Sequence, residues 1–195
     1  MEKHMIGFDL DGVIIKIGEI LQREILKKHN YDIYDCRHTY YINVPGLSHA
    51  ENQNLVYDII INHGMEANPY PGAIESLINL YKTTQENLTF VTARDPQLVG
   101  TQTWEWLKKY LGPTIPFHVE FIPSKSKAEY LYNNKFKTFV DDRLRNVNDI
   151  AEYLDAVFLI NRPWNINRET KYNVIRVDSV VDVCERYINS KRAFV

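Results

Sequence analysis

Two hydrophobic periods alternate along the chain. Residues 5–8 are mostly apolar and read as a short buried strand, which Asp9, Leu10, Asp11 and Gly12 interrupt with two acids and a flexible residue. Ile17, Ile20, Leu21, Ile25 and Leu26 then recur at helical spacing and predict an amphipathic helix over residues 17–29. Residues 30–70 are less regular and rich in tyrosine, with one helix predicted over 48–62. Regular alternation resumes at Pro71 and Gly72. It predicts a helix carrying Ile74, Leu77, Ile78 and Tyr81 on one face, a strand over 88–91, and a helix over 96–111 closed by Gly112 and Pro113. Strands over 118–122 and 137–140 flank a helix over 127–134, which Ser124 or Ser126 can cap. A helix over 145–154, strands over 156–160 and 173–177, and a last helix over 179–189 complete the series.

Strands alternating with helices of this length predict an α/β, Rossmann-like fold, a mostly parallel sheet with helices on both faces. The predicted core is 1–16 with 71–195, and 17–70 forms a small helical cap inserted after the first strand. A 195-residue chain that is 45% hydrophobic can fill such a core. A net charge of −2 argues against binding long nucleic acid through its backbone. No apolar run reaches membrane-spanning length, and the first strand starts too near Met1 to leave room for a signal peptide. Cys36 and Cys184 lack metal-ligand spacing. Together these features lead us to expect a soluble, cytoplasmic protein with reduced thiols and no membrane partner.

In sheets of this kind the ligand crevice lies beyond the carboxyl ends of the strands. Asp9 and Asp11, Thr92 with Ala93 and Arg94, and Asp141 with Asp142 and Arg143 each follow a predicted strand directly. All can therefore project into one crevice. Four ionised carboxylates in a partly buried space need cations. Acids without an accompanying histidine or thiolate cluster favour a hard ion, and Mg2+ fits a site that keeps room for water and phosphate.

In this order, Asp-x-Asp-Gly, a strand-end Thr, a helix-starting Lys and a paired Asp resemble the four motifs of the haloacid dehalogenase-like (HAD-like) phosphatase superfamily. FDLDGV, FVTAR, FVDDR, the Thr103/Trp104 and Trp106/Leu107 stretch and RPWN at 162–165 resemble the 5'(3')-deoxyribonucleotidase family and its bacterial and phage relatives. The resemblance implies Asp9 as nucleophile, forming an aspartyl-phosphate, and Asp11 as the acid and then the base. It also implies Mg2+ held by Asp9, the Asp11 backbone carbonyl and the Asp141/Asp142 pair, with Asp142 as direct ligand and Asp141 as partner of the lysine. Thr92 and the amide after it would hold the phosphoryl oxygens.

SKSKAEYL offers both Lys125 and Lys127; Lys127 is preferred because it opens the apolar helical pattern. Arg94 and Arg143 are candidate substrate contacts, and Tyr40, Tyr41 and Tyr57 candidate stacking surfaces for a base. The expected partner is a small phosphate ester, preferably a nucleoside monophosphate. A sugar phosphate or another small phosphorylated metabolite is the rival substrate, and a non-catalytic phosphate-binding module the rival class. Homodimer formation stays open.

Overall fold

Strands β1 (Met5–Phe8), β2 (Leu88–Thr92), β3 (Phe117–Phe121), β4 (Phe136–Asp141), β5 (Ala156–Ile160) and β6 (Val174–Val177) form one sheet in the order β3-β2-β1-β4-β5-β6. Every pairing is parallel. The coordinates are a computed structural model and describe residues 5–34 and 42–192. Helices α1 (Ile17–His29), α2 (His49–His63), α3 (Ala73–Thr84), α4 (Pro96–Leu111), α5 (Lys127–Asn133), α6 (Leu144–Ile150) and α7 (Val180–Arg192) provide the crossovers and cover the sheet.

Successive strand residues feed opposite faces. Phe90, Val140, Phe158 and Ile160 join one hydrophobic cluster, whereas their neighbours Val91, Phe139, Val157 and Leu159 join the other. A strand buried on both faces needs a continuous apolar run, and the runs of β1, β2 and β4 end abruptly where acids or threonine begin. The carboxyl ends of β1, β2 and β4, the three strands at the middle of the sheet, are therefore where the polar residues gather.

Local signals set the helix ends. Ser48 and Glu51 form a reciprocal capping box on α2, with Glu51 N donating to Ser48 Oγ at 3.3 Å and Ser48 N to Glu51 Oε2 at 2.7 Å. Asp95 caps α4 ahead of Pro96, its side chain accepting from Gln97 N at 2.8 Å. The helix expected over 145–154 stops at Ile150. Ala151 and Leu154 are buried as the apolar period required, but they reach the core from a turn.

Helices α1 and α2 pack on each other in the connection between β1 and α3. Ile17, Leu21, Leu55 and Ile60 of this pair belong to the same hydrophobic cluster as Phe8 and Phe90 of the sheet. Among the described residues no helix is long and apolar enough to cross a membrane.

Candidate active site

The chain turns immediately after β1. Asp9 N still donates to the Val140 carbonyl at 2.8 Å, as a further sheet bond, and the Leu10 carbonyl then accepts from the amides of Val13, Ile14 and Ile15. Gly12 sits at φ +78° in this turn, and a Cβ there would stand 2.1 Å from Asp142 Oδ2. Two requirements thus coincide at Gly12, a left-handed backbone and space for a neighbouring acid. Gly12→Ala should cost about 2 kcal/mol or more of stability and displace Asp142. Urea unfolding of the variant and the wild type checks this.

Asp9, Asp141 and Asp142 converge from the ends of β1 and β4, with one oxygen of each within 4.8 Å of the others. Lys127 opens α5, and its side chain is 1% exposed. Its Nζ donates to Asp9 Oδ1 at 2.8 Å and to Asp141 Oδ2 at 3.2 Å. Asp141 also accepts from Asn146 Nδ2 at 2.9 Å and from the Arg143 amide at 2.8 Å. Asp142 accepts from the Trp164 indole at its Oδ2, while its buried Oδ1 has no hydrogen-bond partner.

The charges show what this cluster lacks. Burial, followed by the like charges of Asp141 and Asp11, pushes the Asp9 carboxyl up to about 6 against the pull of Lys127. Burial, with Asp141 and Asp9 alongside, raises Asp142 well above the ordinary carboxylate range. Burial works against the charge on Lys127, but Asp141 and Asp9 outweigh it and its pKa rises. Three buried acids and one lysine would leave about two negative charges uncompensated if all were ionised. An orphaned carboxylate oxygen within an all-oxygen donor set fits a hard divalent cation.

Beside this cluster Arg94 grips Asp11 with two hydrogen bonds, Nε to Oδ2 at 2.9 Å and Nη2 to Oδ1 at 2.7 Å. Its Nη1 donates to Thr103 Oγ1 on α4 at 3.0 Å. Thr92 is buried at the end of β2, where its hydroxyl accepts from the Arg94 amide at 3.3 Å. A cavity of about 420 Å³ opens over these residues. Asp9, Asp11, Thr92, Ala93, Arg94, Lys127 and Arg143 line its floor, and Ile17, Leu21, Tyr31, Tyr34, Val56, Tyr57 and Trp164 line other walls.

The structure thus brings Asp9, Lys127, Asp141 and Asp142 together, with Asp11, Thr92, Ala93, Arg94 and Arg143 around the same cavity. Lys125 stays exposed in the turn before α5. Tyr40 and Tyr41 lie outside the described residues. Sequence reasoning did not assign Asn146, Thr103 or Arg162. Asn146 lies one helical turn after Arg143, on the helix that the acid pair precedes, and that spacing was the available signal.

No protein-family model and no curated protein sequence matches the chain. Solved structures do. A haloacid dehalogenase-like family hydrolase from Streptococcus pneumoniae superposes with a TM-score of 0.63 at 15% identity, covering 93% of this chain and 97% of that one. CbbY from Rhodobacter sphaeroides, in complex with phosphate, gives 0.58 at 15% identity over 91% and 95%. The D,D-heptose 1,7-bisphosphate phosphatase from B. bronchiseptica, complexed with magnesium and phosphate, gives 0.58 at 10% identity over 96% and 99%. At these identities the likeness is one of fold: the chain has the haloacid dehalogenase-like architecture.

Proposed function

We propose that this protein is a Mg2+-dependent phosphomonoesterase that works through an aspartyl-phosphate, with a nucleoside monophosphate as preferred substrate. The observation that carries the reading is the buried meeting of Asp9, Lys127, Asp141 and Asp142 beneath a cavity large enough for a nucleotide-sized ester. Phosphoryl transfer needs a positioned nucleophile and compensation of charge on the transferring oxygens, and this cluster offers both.

Asp9, Asp142 and the Asp11 carbonyl would hold Mg2+, with Asp141 keeping Lys127 in place. The ion would polarise the phosphate and offset its charge. An Asp9 oxygen attacks phosphorus while the ester P–O bond breaks, and Asp11 gives its proton to the departing alkoxide. Water then attacks the acyl phosphate, Asp11 takes a proton from it, and inorganic phosphate and free Asp9 are regenerated. Both Asp11 oxygens accept from Arg94 in the free protein, so one of these bonds must break for Asp11 to carry the proton that it gives to the alkoxide. Thr92 and the Ala93 amide face the phosphoryl oxygens, and Arg143 adds positive charge at the floor.

For the leaving group, Tyr31, Tyr34, Tyr57 and Trp164 around the cavity suit a flat aromatic base better than a bare sugar. The α1–α2 pair, as part of a cap over 17–70, would then select the substrate. A sugar phosphate is the second reading, favoured by fold neighbours whose names state such substrates. We assign the activity to the cytoplasm, where the free, buried thiol of Cys184 stays reduced.

A panel of nucleoside monophosphates and sugar phosphates, assayed for phosphate release with and without EDTA, tests the assignment. Release should need the divalent ion and be fastest with nucleotides. Tyr57→Ala should raise KM for nucleotides by about tenfold, one stacked base being worth ~1–3 kcal/mol, and leave p-nitrophenyl phosphate unaffected. Faster release from sugar phosphates would replace the nucleotide assignment, and no release from any ester would leave a binding module.

A further inference from the structure

The loop after β5 reaches back over the acid cluster and is fixed at both ends. Arg162 Nε donates to the Gly12 carbonyl at 2.7 Å, and its guanidinium lies 3.8 Å from the centre of the Tyr70 ring. Asn165, 1% exposed, donates through Nδ2 to the Asp142 carbonyl at 2.7 Å and to the Ile160 carbonyl at 2.8 Å. Trp164 is carried between these anchors. Its indole Nε1 donates to Asp142 Oδ2 at 3.0 Å, and the remaining oxygen, Oδ1, is the buried atom without a partner.

The two oxygens of Asp142 are therefore not equivalent. We infer that Trp164 is a positioning residue that tunes which divalent ion the acid cluster accepts, by occupying one oxygen of Asp142 and leaving the other for the cation. Mg2+ requires near-octahedral coordination by few, well-placed oxygens, whereas Ca2+ readily takes both oxygens of a carboxylate. A cation drawing on both oxygens of Asp142 would compete with the indole proton for Oδ2, and Asn165 restrains the Asp142 backbone against the shift. Partners of this kind orient metal-binding side chains, and their loss weakens metal affinity about 10- to 100-fold.

The inference rests on the metal-dependent reading above, and the test separates the two. Trp164→Phe keeps an aromatic ring at the cavity wall and removes the N–H donor together with the second ring of the indole. Titration calorimetry without substrate should show that Trp164→Phe binds Mg2+ about tenfold more weakly than the wild type. Ca2+ should lose less, so the preference for Mg2+ over Ca2+ falls. Unchanged Mg2+ affinity, or an equal loss for both ions, would overturn the inference and leave the metal reading standing. Wild-type protein that binds neither ion would overturn both.

A second arm needs no variant. Trp106 donates its indole proton to the Ala67 carbonyl and Trp104 packs on Phe117, so neither reports on the acids. In wild-type 1H–15N spectra one indole N–H resonance should shift on addition of Mg2+. If no indole resonance moves, Trp164 does not restrain an ion-binding oxygen.

Discussion

Replacing Asp9 by Asn should reduce phosphate release by on the order of 10⁴- to 10⁶-fold, because an amide cannot form the aspartyl-phosphate on which every later step of the proposed mechanism depends. Stability should move the other way. Asp9 is one of three buried acids that converge beside Lys127, and burial pushes its carboxyl from the ordinary 3.8 up to about 6. Between these values the folded protein holds a proton that the unfolded chain has lost. In the absence of metal, stability contributed by this group is therefore present below pH 4 and falls as pH rises to about 6, by an amount on the order of a few kcal/mol. Melting temperatures in EDTA should decline over that range for the wild type and less for Asp9→Asn. Mg2+ should remove most of the wild-type decline. An active Asn variant would dispose of the nucleophile, and an unchanged pH slope would dispose of the charge account.

Lys127→Met should be the more damaging change to the fold. The lysine is bonded to both Asp9 and Asp141, and removing it leaves two buried carboxylates facing each other. Loss of one partner from a buried ionic cluster costs about 3–5 kcal/mol, and loss of positive charge beside the reacting phosphate should lower turnover by about 10³-fold. High Mg2+ should restore part of the stability and little of the rate. Lys125→Met, on an exposed turn, should stay within about 0.5 kcal/mol of the wild type. Denaturant unfolding and phosphate release on the two variants decide the matter, and the reverse ranking would refute the part assigned to Lys127.

Much of this was legible in the sequence because buried parallel strands announce themselves twice, by an apolar run and by its sudden end. Asp9, Thr92 and Asp141 all stand at such ends. Lys127 was preferred to Lys125 because KAEYL begins the apolar helical pattern, and α5 opens at that residue. The error at α6 has the same root: Ala151 and Leu154 keep the helical apolar period although the chain there is a turn, and burial alone cannot tell these apart. The Arg94–Asp11 pair spans 83 positions and carries no periodic signature. Trp164 and Asn165 act through an indole proton and a side-chain amide from a loop, and nothing in their spacing marks the acid they restrain.

The apolar mass shared by α1, α2 and the sheet constrains how a ligand gets in and out. Ile17, Ile20, Leu21, Ile25, Leu55, Ile59 and Ile60 are all buried there. At about 1.5–3 kcal/mol for each such side chain, stripping them all into water would cost an amount comparable to the whole net stability of an ordinary domain, about 5–15 kcal/mol. A swing of the helical pair that bared all of them is therefore disfavoured, and a ligand should enter through movements that keep most of these side chains covered. The helical pair and the sheet should melt as one cooperative unit.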